Sequence, residues 1–340
     1  MSQLSIVIPS RRPLQTARFA LETALIYAEK CNAVMIVSDN SGDAKKAEWL
    51  ASLGPRVRRL DSDAPDAVSN LLHALRAVET PFLMPMGDDD AAFVMDGLAP
   101  MSLASLPGDV VAVRPQTVTW ADERGVTRRA TFAFDGETPS ARLDAYMRHS
   151  GGNNALYYSL YRTDIFRDLW FYFRDYHPTR GAYADWAFVY AFLSCGKFLH
   201  DPALLYLYDV AQWQREEDLN ASLNALFTAV GLPLRAADLM MLLTFVDWYG
   251  FLCWSGLPLT PADRREASLF SARSVLGSFV NRVEKDPDRY SPLERNYCQS
   301  LKRMNDVHEA FHAALPVLDA LKPGLGEGYR RFAEAGGLTP

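Results

Sequence analysis

Cysteine is scarce in this 340-residue chain, and the four present are scattered: Cys31, Cys195, Cys253 and Cys298, with no two at CxxC spacing. Neither a zinc ribbon nor a redox pair is indicated, and dispersed thiols fit a reducing, cytoplasmic compartment. Positive charge is also in short supply. There are 35 Lys and Arg against 41 Asp and Glu, a net charge of −6. That balance speaks against a broad nucleic-acid groove, which needs clustered cations, so no nucleic-acid partner is expected. The densest basic cluster, Arg56, Arg58 and Arg59, runs straight into Asp61 and Asp63 and reads as a solvated strand edge. The N-terminus has no charged segment leading into an apolar one, so no secretory signal is expected. Long apolar runs are nearly absent. Leu239 to Leu257 approaches bilayer length, but Asp247 near its centre would cost roughly 2.5–3.5 kcal/mol in a membrane. We read it as a buried or interfacial helix.

What is present suits a globular protein. Hydrophobic residues make up 49% and charged ones 22%, enough apolar content for a sizeable core and against dominant disorder. The length suggests two domains. Along the first ninety residues apolar strand and helix patterns alternate. Leu4 to Pro9, Ala33 to Ser38, Arg56 to Leu60 and Pro81 to Met86 read as strands. Thr16 to Lys30 (with Phe19, Leu21, Leu25 and Ile26 as its apolar side), Lys45 to Leu53 and Pro65 to Glu79 read as helices. This β-α-β-α-β-α-β order is that of an open, mainly parallel α/β sheet, whose ligands bind beyond the carboxyl ends of the strands.

Polar residues gather at those ends. Ser10 and Arg11 follow the first strand. Asp39 and Asn40 follow the second, Asp61 and Asp63 the third, and Asp88, Asp89 and Asp90 the fourth. No GxGxxG follows the first strand, and no GxxxxGK with a following Ser or Thr occurs, which disfavours a dinucleotide fold and excludes a P-loop. Without a glycine cradle, a triple aspartate points to a divalent cation, Mg2+ or Mn2+, neutralising phosphate. The pair would be Asp88 with Asp90, or Asp88 with Asp89 in a shifted register. As strand-end carboxylates they should add little to the core.

Three segments together resemble the nucleotide-sugar domain of family 2 glycosyltransferases, which have the GT-A fold. They are Ser5 to Ser10 (SIVIPS), Ile36 to Asp43 (IVSDNSGD), and Val68 to Phe93, whose apolar strand ends in GDDD. Gly152 to Phe166 and Tyr183 to Asp209 extend the likeness to about residues 3–212. The resemblance implies a GT-A-type, mostly parallel central sheet with flanking helices over residues 1–215. It implies transfer of a sugar from a nucleotide-diphosphate sugar to a hydroxyl of a glycan, lipid-linked or protein acceptor. It places the nucleotide sugar against Pro9, Ser10, Arg11, Asp39, Asp63, Asn70, Asp88 and Asp89, and the metal at Asp88 and Asp90. Asp185, ahead of Trp186, becomes the general base of an inverting reaction; as a residue it is equally a helix N-cap. Single carboxylates stand at Ser38-Asp39 and Ala184-Asp185, where the family usually has pairs. They keep open a catalytically silent scaffold, while a nucleotidyltransferase is disfavoured by the missing glycines. His177, among Pro178, Thr179 and Arg180, is a candidate for a loop over the acceptor, and His200 reads as a strand-end residue.

From residue 216 to 340 only helix patterns occur: Asn220 to Val230, Ala236 to Trp254, Pro261 to Lys285, Pro292 to Leu315 and Val317 to Ala335. Turn residues such as Gly256 and Pro323 punctuate them. An all-α region of this kind could serve acceptor binding, homo-oligomer formation or peripheral docking at the inner face of a membrane.

Overall fold

A computed structural model describes residues 2–121, 124–210 and 216–340. Its strands are β1 (Leu4–Ser10), β2 (Val34–Asp39), β3 (Val57–Asp61), β4 (Phe82–Pro85), β5 (Ala91–Val94), β6 (Val110–Ala121), β7 (Gly125–Ala130), β8 (Leu160–Arg162) and β9 (Lys197–Asp209). The helices before the last strand are α1 (Leu14–Lys30), α2 (Ala44–Ser52), α3 (Ala67–Leu75), α4 (Pro139–His149), α5 (Thr163–Tyr176) and α6 (Asp185–Cys195). After it come α7 (Glu216–Thr228), α8 (Met240–Cys253), α9 (Pro261–Ser271), α10 (Gly277–Lys285), α11 (Pro292–Leu301), α12 (Val307–Leu321) and α13 (Leu325–Ala335). The α/β class and the helical C-terminal region are as expected.

The chain forms two compact units. The first comprises Met1–Gly136, Asp144–Arg167 and Gly196–Asp218, and the second Glu137–Leu143, Asp168–Cys195 and Leu219–Pro340. The first unit holds the whole sheet, in the order β3-β2-β1-β4-β8-β6-β9-β5, with β7 paired to β6. β1 runs parallel to β2 and β4, and β2 parallel to β3. β8 enters antiparallel between β4 and β6, which makes the sheet mixed. The parallel register is what builds a site: Ser10 lies opposite Asp39, and Asp39 opposite Asp61. Strands β5 to β7 were not legible in the sequence.

α1 corrects one expectation. Phe19 and Ile26 are 56% and 52% exposed, not part of the buried side. The face on the sheet is Ala17, Ala20, Leu21, Ala24, Tyr27 and Ala28, spaced by three and four residues. Its alanines let the helix lie close to Ile6, Ile8, Met35 and Val37; the larger apolar residues would hold it away.

The second unit is helical among its described residues. α8 is the apolar run singled out above, buried throughout from Leu242 to Cys253. No helix among the described residues is long and apolar enough to cross a membrane. Asp247 is fully buried because it has partners: its Oδ1 lies 2.7 Å from His177 Nε2 and accepts from the Tyr329 hydroxyl at 2.7 Å. Tyr183 bonds Tyr329 at 3.1 Å and Thr179 at 2.7 Å, extending the buried network. His177 is therefore an interior residue, not one on a loop over an acceptor. The expected helix Pro292 to Leu315 is two helices, because Asp306 caps α12 afresh at the His308 N–H. Pro316 stands inside α12 rather than ending a helix.

Two comparisons test this packing. Leu21→Ala should cost about 2–5 kcal/mol in urea unfolding, whereas Phe19→Ser should stay within about 0.5 kcal/mol. Equal losses would show that α1 buries another face. His177→Ala should cost about 3–5 kcal/mol by leaving the Asp247 carboxylate with too few partners, and less when Asp247→Leu is added.

Candidate active site

Polar groups at the ends of β1, β2 and β4 are joined to one another, and the loop after β1 is the hub. Asp88 is 5% exposed. Its Oδ2 accepts from the Ser10 hydroxyl at 2.8 Å, the Arg11 N–H at 3.1 Å and the Arg12 N–H at 3.0 Å. Its Oδ1 pairs with the Arg12 guanidinium, which reaches Asp89 Oδ2 at 2.8 Å with another nitrogen. The expectation of surface carboxylates with little structural weight fails for Asp88, which ties β4 to the β1 loop. The Arg11 and Arg12 N–H groups are spent on this carboxylate. The Arg11 side chain is exposed, and the half-exposed Arg12 side chain is committed to Asp88 and Asp89.

Asp39, 6% exposed, ends β2. Its Oδ1 accepts from the Ser41 N–H at 3.1 Å and the Ser41 hydroxyl at 2.7 Å. The same oxygen lies 3.1 Å from the ammonium of Lys46, a fully buried lysine on α2. Oδ2 has the Arg59 Nε at 3.8 Å, too far for a hydrogen bond, and that Nε has no other partner. Arg59 also pairs with the exposed Asp61. Asp39, Gly42, Asp43, Arg59, Asp61 and Asp63 line a cleft of about 490 Å³, within the usual size range of a small-ligand site. Asp63 is exposed on its rim.

Asn70 acts as a stitch between elements. It accepts from the Ser38 hydroxyl at 2.6 Å and donates to the Ser38 carbonyl at 2.9 Å and to Asn40 Oδ1 at 3.0 Å. α3 and the β2 turn are thereby held together. Pro9 lies within β1, opposite Ser38.

Asp90, 2% exposed, accepts from the Tyr206 hydroxyl at 2.7 Å and the Asp209 N–H at 2.9 Å. Burial, with the charge of Asp89 second, pushes its carboxyl up to about 7, against the pull of those two donors. Burial also lifts the Asp89 carboxyl above the usual range, with Arg12 opposing. Burial thus disfavours the bare carboxylates, and a cation beside them would favour the charged form. Among the described residues no three His, Cys, Asp or Glu side chains are gathered to hold a metal. Mg2+ or Mn2+ needs no such cage when phosphate oxygens and water complete its shell around one or two carboxylates. The residues fit a cation on those terms; Asp88 already accepts from four donors, three on Oδ2 and Arg12 on Oδ1. Asp89, with Oδ2 alone given to Arg12, and the remaining lone pairs of Asp90 are the available oxygens.

Asp185 belongs to the second unit. It is half-buried at the first position of α6, where its Oδ1 accepts from the Trp186 N–H at 2.8 Å. His200 lies within β9 rather than at its end, and its Nδ1 is buried with no hydrogen-bond partner.

Sequence reading missed Lys46, Arg12, Arg59 and Tyr206. A signal existed for Lys46. It stands four residues before Leu50, and these two are the buried residues of α2, so a lysine occupies a core position of that helix.

No protein-family model matches the sequence, and a comparison with curated proteins finds no match. Among solved structures, the chain is similar over 94% of its length to Staphylococcus aureus TarS 1-349, covering 92% of that chain at 14% identity and a TM-score of 0.44. The complex of TarS 1-349 with UDP-GlcNAc gives the same coverage and identity, with a TM-score of 0.42. The mannosyltransferase PcManGT from Pyrobaculum calidifontis, in complex with GDP-Man and Mn2+, is matched over 98% of this chain and 86% of that one, at 11% identity and a TM-score of 0.47.

Asp88→Ala should cost about 1–3 kcal/mol, because buried donors lose their acceptor, while Asp61→Ala should cost less than about 0.5 kcal/mol. Denaturant midpoints decide; an unperturbed Asp88→Ala would show that the β1 loop does not depend on this carboxylate.

Proposed function

We propose that this chain is a glycosyltransferase of the GT-A type resembling family 2, using a nucleotide-diphosphate sugar as donor. The observation that carries the reading is the joining of the β1 loop, Asp39 and the GDDD turn into one connected polar edge beside an open cleft. A nucleotide needs three kinds of partner: an acceptor for base N–H groups, cations for the diphosphate, and carboxylates for a divalent ion. Asp39 with Arg59, Arg11 with Arg12, and Asp89 with Asp90 supply them in that order within one unit. Asp63 stands at the rim of the base cleft. Ser10, Asn70 and Asp88 support the edge from within, and Pro9 brings β1 to it.

In this reading Asp89 and Asp90 would hold Mn2+ or Mg2+, which would supply charge neutralisation for the diphosphate leaving group. Arg12 then exchanges its contact with Asp89 for one with phosphate, a contact the guanidinium fork suits. Asp185 takes the proton of the acceptor hydroxyl as that oxygen attacks the anomeric carbon, with inversion. The catalytic residues fall within 1–215, of which Glu137–Leu143 and Asp168–Cys195 pack in the second unit with Leu219–Pro340. A second reading, a silent scaffold that binds without transfer, is favoured by one feature: Arg12 already occupies Asp88 and Asp89.

Thermal shift against nucleoside diphosphates with and without Mn2+ separates the two. An enzyme site should gain stability with nucleotide and metal together, about 2.7 kcal/mol at one hundred times the dissociation constant. A silent scaffold should show no metal-dependent gain. Asp185→Asn should leave donor affinity unchanged and lower transfer by roughly 10²–10⁴-fold. Near-wild-type transfer would make Asp185 a helix cap only.

A further inference from the structure

Lys46 is a charge in the wrong place for a helix of this kind. Its side chain is 0% exposed, and lysine is almost never fully buried unless paired. An ammonium has three protons, and this one donates to Ser10 Oγ at 2.6 Å, the Arg12 carbonyl at 2.8 Å and the Ser10 carbonyl at 3.5 Å. Asp39 Oδ1 lies 3.1 Å away as its ion-pair partner. Ser10 in turn gives its own hydroxyl proton to Asp88. One buried cation therefore stands between the carboxylate at the end of β2 and the loop after β1. It occupies Oδ1 of Asp39 and leaves Oδ2 as the oxygen with accepting capacity to spare. It also fixes the carbonyl of Arg12, the residue whose guanidinium meets Asp88 and Asp89.

We infer that Lys46 is a positioning residue joining the two halves of the donor site, holding Asp39 for the base and the Ser10–Arg12 loop for the diphosphate through one ammonium group. The inference rests on the nucleotide-sugar reading above. Lys46 has no route to the ligand of its own, since every proton is already committed and its side chain is sealed from solvent. It acts only through what it holds. Losing it frees the Asp39 carboxylate to rotate and the loop to drift, so both halves weaken together. Asp39→Asn should weaken the base half alone, and Ser10→Ala the phosphate half alone.

The test compares three probes by titration with Mn2+ present: UDP or GDP as the whole ligand, inorganic pyrophosphate as one half, and uridine or guanosine as the other. Lys46→Met is expected to weaken pyrophosphate and nucleoside by about tenfold each, the scale of one charge-assisted hydrogen bond, and the nucleotide by more than either. Leu50→Ala, on the same helix, removes buried contacts without touching the site. At a matched loss of thermal midpoint it should leave all three affinities unchanged. The inference is overturned if Lys46→Met weakens only one half or neither, or if Leu50→Ala reproduces its effect. Should Lys46→Met not fold, Asp39→Asn and Asp39→Asn with Lys46→Met are compared instead, and pyrophosphate affinity must fall between them. Wild-type protein that binds neither nucleotide removes the donor-site reading and this inference together. Wild-type binding with an indifferent Lys46→Met removes only the inference.

Discussion

Carboxylates crowded at one sheet edge repel one another, and the edge holds its shape because cations stand among them. Two like charges 4 Å apart at a protein surface cost about 4 kcal/mol. Asp39, Asp88, Asp89 and Asp90 would scatter the loops that carry them if nothing intervened. Lys46 from beneath and Arg12 from the solvent side supply the opposing charge. The β1 loop lies between these cations, and its backbone N–H groups complete the shell of Asp88. Asp89 and Asp90 keep raised carboxyls, lifted first by burial and, for Asp90, next by the charge of Asp89.

That division separates the aspartates by role. Asp88 and Asp90 share a turn, yet one is locked by four donors and the other by two. Asp89 between them keeps most of its capacity. The adjacent strands set this outcome: β1 delivers a serine hydroxyl and two amides to Asp88, and β9 delivers Tyr206 and the Asp209 amide to Asp90. A polar edge built this way is rigid where it touches the sheet and adaptable where it faces water, as a site for a phosphate-bearing ligand with its own cation must be.

The helical unit solves a related problem by other means. Asp247 lies in the middle of its most apolar helix, and the energy of burying that carboxylate is offset by His177 and Tyr329 converging on one oxygen. A buried charge is tolerated when its partners reach it from several elements, and removing any of them is costly. The network therefore pins the end of α5, the helix α13 and α8 to one another. The charge that made a membrane span expensive is what joins these helices.

Local signals carried much of this. Alternating strand and helix patterns named the α/β class, turn residues marked the strand ends, and helix periodicity with its punctuation identified an all-α C-terminal region. Those properties depend on residues a few positions apart, and so they are written in the sequence directly. Which aspartate is caged, why a lysine belongs inside α2, and where His177 goes were decided by pairings across 78, 36 and 70 residues. The same holds for α1, whose buried face was chosen by the shape of the sheet over the size of its apolar side chains. Contacts of that range form only when strands take their order and register. The types of residue at the site could therefore be read from the chain, and their employment only from the fold.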